Sequence, residues 1–200
     1  MKTYNKIIHE TKECPLLSIE YSEDIDSPRE WSNAGYFVIA GDRYNSPDKN
    51  EYLEGAIKEC KANTLEQHIQ NIKNELSENF DEKVLEVLPV AKYEHGNVQY
   101  YLSDTVPNGF DSGICGFYII TAQSWKENVG GKYTREKAEK IIAGELEIYT
   151  QWCNGEVYSY TFYNLNGEIV DSCCEFYGLN HIKEHLPAEW KNEDLQDYLN

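Results

Sequence analysis

The stretch ICGFYIIT, residues Ile114 to Thr121, is apolar at almost every position. Side chains along a β-strand alternate between the two faces of its sheet, so both faces of this strand are apolar, which is typical of a central strand. A second buried strand is predicted over GYFVIAGD, Gly35 to Asp42. The stretch PLLSIEYSE, Pro15 to Glu23, alternates apolar and polar residues and also predicts a strand.

A hairpin is predicted within EVYSYTFYNLNGEIVDSCCEFYG, Glu156 to Gly178. It contains Asn166-Gly167, the preferred pair for a two-residue type I′ turn. This turn would fix the register, which pairs Phe162 with Asp171, Tyr160 with Cys173 and Tyr158 with Glu175. In that register Asp171 and Ser172 point to opposite faces, so they cannot act as a simple pair on one substrate unless a bulge intervenes.

Helices are predicted at four places. One begins near Ser46, which can cap it, with Pro47 and Asp48 in its first turn. Another begins at Thr64, where Gln67 completes a capping box. The longest runs from about residue 134 to residue 152, and a terminal helical stretch follows from about residue 180.

These elements predict a single α+β domain over residues 1–200. We expect a largely antiparallel or mixed sheet, with three to four helices mainly on one face. The chain has no apolar run near the roughly 18 residues that a membrane helix needs, and its N-terminus is too polar for a secretory signal. The six cysteines form no Cys-x-x-Cys pair, which favours reduced thiols in a cytoplasm.

The net charge is −17, from 35 acidic and 18 basic residues. Direct binding to nucleic acid needs a basic stripe, and the sequence contains none. Two interpretations of the acidity stay open. The carboxylates can simply keep the protein in solution, or they can imitate phosphates and occupy a basic groove on a nucleic-acid-binding partner.

An ordered set of motifs resembles a protein family common in bacteriophages and other mobile elements. The motifs are SPREWSNAG, GDRYNSPD, LPVAKYEHG, FDSGICGFYII and DSCCEFYG. The chain departs from the family pattern at Phe110, where we expect Trp, and at Cys174-Glu175, where we expect Trp-Gly. The resemblance implies a phage-like gene product in the cytoplasm of a bacterial host.

Few residues suggest catalysis. His95 lies beside Glu94, so it could be a general base, or it could be an ordinary turn residue. His181 and His185 have the i, i+4 spacing of zinc ligands, but no His-Glu-x-x-His pattern accompanies them. Cys115 lies in an apolar strand and is predicted to be a core residue. We therefore expect no metal and no cofactor.

The motif loops are the candidate binding site, because charged and aromatic residues at strand ends often line pockets. The candidate residues are Arg29, Glu30, Trp31, Arg43, Tyr44, His95, Asp111, Ser112 and Asp171. We expect Arg29 and Asp111 to lie at the same end of the sheet, near Arg43. The alternative is that Arg29 and Asp111 form structural ion pairs that hold loops together.

The sequence favours a non-enzymatic accessory protein that acts by binding. It is expected to inhibit a host defence or nucleic-acid-processing protein, as anti-CRISPR and anti-restriction proteins do, through an acidic, tyrosine-rich surface. The candidate partner surface comprises Glu20, Glu23, Asp24, Asp26, Tyr158, Tyr160, Phe162, Glu189, Glu193, Asp194 and Asp197. A small-ligand or nucleotide-binding protein or enzyme using the motif loops is the alternative. An obligate oligomer whose motifs serve only folding is a third possibility.

Overall fold

The structure is a computed structural model of the chain, and it describes residues 16–39, 45–188 and 190–199. The chain divides into two compact units. The larger unit is Ser27–Thr150, and the smaller unit combines Met1–Asp26 with Gln151–Asn200. The predicted α+β class is confirmed. The prediction of one domain over residues 1–200 stays a prediction.

The strands are β1 (Leu16–Tyr21), β2 (Tyr36–Ile39), β3 (Val84–His95), β4 (Asn97–Leu102), β5 (Ser112–Thr121), β6 (Val157–Tyr163) and β7 (Ile169–Tyr177). The α-helices are α1 (Glu51–Glu59), α2 (Leu65–Asn79), α3 (Ala122–Asn128), α4 (Arg135–Cys153) and α5 (Leu179–His185). Short 3₁₀ helices cover Pro28–Glu30 and Leu195–Tyr198. Among these described helices, none combines the length and apolarity that crossing a membrane requires.

The larger unit contains a four-stranded antiparallel sheet in the order β2-β5-β3-β4. The strand β5 is internal, as its sequence predicts. Phe117 on one face packs in a core with residues of α1 and α2, whereas Tyr149 of α4 contacts Phe37 and Tyr100. Phe37 neighbours Val38, which belongs to the α1/α2 core, so α4 covers the opposite face. The helices thus lie on both faces, where the sequence predicts them mainly on one, because both faces of β5 are apolar.

The strands β2 and β5 approach closely at Gly116. A Cβ atom on this residue would lie 2.2 Å from the carbonyl oxygen of Val38. Real Cβ atoms do not approach backbone oxygens so closely, and therefore a side chain at this position would push the two strands apart.

The start of α1 differs from the prediction. Asn50, rather than Ser46, caps the helix, and its side chain accepts a hydrogen bond from the backbone amide of Leu53 at 3.1 Å. The hydroxyl of Ser46 instead accepts from the amide of Ile39 at 3.1 Å. The predicted cap of α2 is confirmed, since the Thr64 hydroxyl accepts from the amide of Gln67.

The smaller unit contains a three-stranded antiparallel sheet in the order β1-β6-β7. One face of this sheet carries an aromatic core, which α5 and the C-terminal 3₁₀ helix complete. The buried core residues are Leu17, Ile19, Tyr158, Tyr160, Phe162, Phe176, Ile182, Leu186, Trp190, Leu195 and Tyr198.

Two of the three predicted residue pairs of the hairpin β6-β7 are confirmed, although the turn that joins the strands is not the predicted one. Asn164 and Glu168 close a three-residue loop, in which Gly167 has a φ of 81° and Asn166 has no positive φ. The turn is therefore not type I′, which needs a positive φ at both central residues. A register shift between Phe162 and Tyr163 then restores the predicted register, so that Tyr160 pairs with Cys173 and Phe162 with Asp171.

The third pair is wrong, because a second irregularity follows. Tyr158 pairs with Phe176 instead of Glu175. Glu175 has a φ of 63°, a left-handed conformation that is rare outside glycine. A β-bulge at this point turns Phe176 into the core.

Candidate functional site

The SPREWSN motif borders a cleft of about 500 Å³ in the larger unit. Ser27 caps the 3₁₀ helix Pro28–Glu30, and its hydroxyl accepts a hydrogen bond from the amide of Arg29 at 3.2 Å. The side-chain amide of Asn33 donates to the carbonyl oxygens of Pro28 and Trp31. The motif thus builds a tight loop whose side chains line the cleft.

The guanidinium of Arg29 makes its hydrogen bonds to other groups of the protein. Its Nε and Nη2 bind the two oxygens of Asp48 at 3.1 and 2.6 Å, and Nη2 also donates to the carbonyl oxygen of Gly35 at 2.9 Å. Its Nη1 lies 3.0 Å from the side-chain oxygen of Asn33 and 3.1 Å from a carboxylate oxygen of Glu145. A guanidinium has five N–H donors, and each has an acceptor here. The geometry favours the ion-pair alternative, in which Arg29 is structural.

Arg29, Asp48, Glu145 and Tyr118 form one polar cluster, and three of its members bind backbone amides at or near the start of β2. The second oxygen of Glu145 accepts the amide of Ala34 at 2.8 Å, and Asp48 accepts the amide of Phe37 at 2.6 Å. The hydroxyl of Tyr118 accepts the amide of Gly35 and donates a short hydrogen bond to Glu145. Burial raises the pKa of Tyr118 well above its ordinary value; Arg29 opposes this shift and Glu145 adds to it. Tyr118 therefore stays a proton donor.

Carboxylates dominate the rest of the cleft. Glu30, Glu82 and Glu127 line it, together with Tyr36 and the half-exposed ring of Trp31. Glu82 accepts from the Tyr36 hydroxyl at 3.0 Å and from Thr121, so its hydrogen bonds come from neutral donors. Burial, the hydrogen bond from Tyr36 to Glu82 and the nearby carboxylates raise the pKa of Tyr36. Four carboxylates line the cleft, those of Glu30, Asp48, Glu82 and Glu127, against the two cations Arg29 and Lys49, so the cleft is electronegative.

Asp111 lies far from Arg29, so the prediction that they share one end of the sheet is wrong. Asp111 precedes β5, while Arg29 contacts Tyr118, seven residues further along. Along an extended strand, the backbone of Tyr118 lies roughly 20 Å from that of Asp111, and Arg29 lies beside Tyr118. Arg43 and Tyr44 lie outside the described residues.

His95 and Asp111 form a surface pair. The Nδ1 atom of His95 lies 3.2 Å from a carboxylate oxygen of Asp111, and the His95 side chain is 75% exposed. His95 adjoins Gly96, whose φ of 82° forms the tight turn between β3 and β4. This placement fits the predicted turn residue. Ser112 follows as the first residue of β5, opposite Tyr93.

The aromatic part of the predicted partner surface is wrong. Tyr158, Tyr160 and Phe162 are at most 7% exposed, because their face of β6 is the core of the smaller unit. Asp171 is exposed and accepts a hydrogen bond from the Tyr160 hydroxyl at 3.2 Å. An exposed tyrosine of this unit is Tyr21, at 54%.

Most of the acidic part that the structure describes lies at the surface. The exposed carboxylates are those of Glu20, Glu23, Asp24, Asp26, Asp194 and Asp197, and Glu193 is half-buried. Glu189 lies outside the described residues. The 3₁₀ helix Leu195–Tyr198 contacts β1, and Leu199 forms a β-bridge with Ile19. The structure thus brings the N-terminal and C-terminal acidic clusters, which are distant in sequence, onto adjacent segments of one unit.

The sequence did not predict several residues that lie near these sites. Glu145 and Glu82 sit among ordinary helix and loop residues, and no local signal separates them from solvated carboxylates. Lys92 did carry a signal, since it interrupts an apolar strand after Val90 and Ala91. Its side chain is 9% exposed and pairs with Glu94 at 2.8 Å.

Within the described residues, no group of three or more His, Cys, Asp or Glu side chains is arranged to hold a metal ion. His181 and His185 both lie on α5, and the His185 ring contacts Phe176. Comparison with protein-family models, with curated proteins and with solved structures finds no match for this chain.

Proposed function

We propose that the protein is a non-enzymatic binding protein whose smaller unit presents an acidic surface to a basic partner protein. The observation that supports this is the distribution of charge between the two units. The smaller unit holds 15 acidic and 5 basic residues, a net charge of −10. The larger unit, although longer, holds 20 acidic and 13 basic residues, a net charge of −7. The smaller unit therefore carries more net negative charge than the longer unit.

The ion pairs of the described residues differ between the two units. Among the described residues, no lysine or arginine forms an ion pair with Glu23, Asp24 or Asp26. By contrast, carboxylates of the larger unit pair with Arg29, Lys73 and other cations. Unpaired surface charges attract an oppositely charged partner over about 8 Å at physiological salt and mainly raise its association rate.

The partner is inferred from the sign of the charge. A nucleic acid would be repelled, whereas a groove that binds nucleic acid is basic and would accept carboxylates in place of phosphates. The motif resemblance to phage and mobile-element proteins favours a host partner in a bacterial cytoplasm. We therefore infer an inhibitor of a host defence or nucleic-acid-processing protein, of the anti-CRISPR or anti-restriction type.

The test compares two charge reversals of equal size. One variant changes Glu20, Glu23, Asp24 and Asp26 to lysine, and the matched control changes four exposed acids of the larger unit, Glu51, Glu59, Glu66 and Glu78. Wild-type protein should capture a nucleic-acid-binding protein from a bacterial lysate and block its nucleic-acid binding when both are purified. The smaller-unit reversal should abolish capture and inhibition, and the control should retain both. Equal losses in both variants, or capture unaffected by salt, would contradict the proposal.

The electronegative cleft supports a second candidate, the binding of a small cation. Glu30, Glu82 and Glu127 would attract an ammonium or guanidinium group, and Trp31 offers an aromatic face. A nucleotide fits poorly, because its phosphates would meet the same carboxylates. Of the two cations that line the cleft, Arg29 has no donor to spare, which leaves Lys49. A titration with spermidine or arginine tests this candidate. Tryptophan fluorescence is the readout, and wild type is compared with Glu82→Gln. No change in fluorescence at millimolar ligand would exclude it.

A further inference from the structure

The sheet of the smaller unit has two edge strands, β1 and β7, with β6 between them. The C-terminal 3₁₀ helix contacts β1, and Leu199 forms a β-bridge with Ile19, so the edge at β1 is covered. Among the described strands, β7 pairs only with β6. The outer edge of β7 therefore offers backbone N–H and C=O groups that a further strand can bind.

The side chains of β7 are as accessible as its edge. Every residue from Ile169 to Glu175 is exposed, and only the last two residues of the strand enter the core. Ile169 and Val170 are 66% and 52% exposed. Edge strands are commonly protected by lysine or proline, and β7 contains neither. Its register shifts lie towards its two ends, and Asp171–Cys173 pairs regularly with β6 between them.

The hairpin that carries this edge has negative charges and no cation. Residues 156–178 include four acidic residues, and they contain no lysine, arginine or histidine. Glu168 accepts a hydrogen bond from the side-chain amide of Asn164 at 2.7 Å, and Asp171 accepts one from the hydroxyl of Tyr160 at 3.2 Å. Both donors are neutral, so these hydrogen bonds leave the negative charges uncompensated.

The N-terminal acidic cluster lies close to this hairpin. The amide of Ser22 donates to the carbonyl oxygen of Val157 at 2.8 Å, and Val157 pairs with Tyr177 of β7. Burial raises the pKa of Tyr177, and the carboxylates of Glu175 and Asp26 raise it further. The cluster that follows β1 is therefore about two strand spacings, ~10 Å, from β7.

We propose that the outer edge of β7 binds an extended segment of a basic partner protein by strand addition, an inference that rests on the proposed function. The backbone of the segment would pair with β7, its lysine or arginine side chains would face Glu168 and Asp171, and its apolar side chains would cover Ile169 and Val170. A second copy of this chain fits poorly, because its own β7 would bring the same carboxylates to the contact.

The test titrates three synthetic peptides into the protein by calorimetry at one salt concentration. The first is an eight-residue peptide of alternating lysine and valine. The second has methyl groups on its four central backbone nitrogens, which removes hydrogen-bond donors and keeps the charge, and the third has glutamate in place of lysine. We expect the first peptide to bind, the second to bind at least tenfold more weakly, and the third not to bind. No binding of the first peptide at millimolar concentration would overturn the proposal, as would equal binding of the first and second.

A variant and thiol labelling locate the contact. Val170→Lys should weaken binding of the lysine–valine peptide at least tenfold, while Val106→Lys, at a valine of the larger unit that is 64% exposed, should not. Bound peptide should slow the reaction of Cys173 and Cys174 with a thiol reagent and leave that of Cys153 unchanged, since all three are exposed in the free protein. Unchanged affinity in Val170→Lys, or no protection of Cys173 and Cys174, would refute the assignment to β7.

The outcomes separate this inference from the proposed function. If the methylated peptide binds as tightly as the first, and reversal of Glu20, Glu23, Asp24 and Asp26 still abolishes inhibition, charge alone carries the interaction. The proposed function then stands, and the strand addition does not. A dimer in sedimentation that Val170→Lys dissociates would assign the edge to a second copy and would also overturn the proposal.

Discussion

Replacing Arg29 by alanine should destabilise the protein far more than replacing an exposed arginine. The Arg29 side chain is 2% exposed, and its partners Asp48 and Glu145 are 14% and 17% exposed. Removing one partner of a buried ion pair leaves an uncompensated charge and typically costs about 3–5 kcal/mol. Here two carboxylates would lose their shared cation.

The expected loss lies near the lower end of that range. Without Arg29, Asp48 would still accept the amide of Phe37, and Glu145 would still accept the amide of Ala34 and the Tyr118 hydroxyl. These neutral donors keep both carboxylates partly satisfied. We therefore expect Arg29→Ala to lower the free energy of unfolding by about 3 kcal/mol.

The assay is urea unfolding followed by tryptophan fluorescence, with Arg135→Ala as the matched control. Arg135 also binds two carboxylates, Glu139 and Asp104, but its side chain is 48% exposed, so its removal should cost about 0–1 kcal/mol. Adding Glu145→Gln to Arg29→Ala should restore part of the lost stability, because it removes one stranded charge. Equal losses in Arg29→Ala and Arg135→Ala would refute the structural role of the cluster.

Three further predictions concern single residues. Cys153 is exposed and should react with a thiol reagent in the folded protein at pH 8, whereas Cys115, with its pKa raised to about 12 by burial, should react only after unfolding; mass spectrometry of labelled peptides shows which. Gly116→Ala should lower the free energy of unfolding by about 1–3 kcal/mol, because the added Cβ meets the Val38 carbonyl, and an unchanged urea midpoint would contradict this. Burial and Asp171 raise the pKa of Tyr160 to about 12 from 10.0, so the folded state holds this proton more tightly; stability should fall as pH rises from 10 to 12, and less steeply in Tyr160→Phe.

Much of the fold follows from local sequence patterns. The two-sided apolarity of Ile114 to Thr121 predicts the internal strand β5, and the Thr64 cap predicts the start of α2, because periodicity and capping are properties of neighbouring residues. The hairpin register also depends on tertiary packing. Asn166-Gly167 indicates the turn region, but the core position of Phe176 coincides with the bulge at Glu175.

The candidate sites likewise combine features that local sequence predicts with features that depend on packing. The amino-acid sequence is enough to predict the excess of carboxylates, the two acidic clusters and the polar motif loop around Arg29, since charge and composition do not depend on folding. Tertiary packing brings Glu145, 116 residues away in sequence, within hydrogen-bond distance of Arg29, and it buries Tyr158, Tyr160 and Phe162. It also brings the two acidic clusters onto adjacent segments of one unit and leaves β7 at an edge of its sheet. Burial and long-range pairing depend on how the whole chain packs, and no single stretch of sequence contains that information.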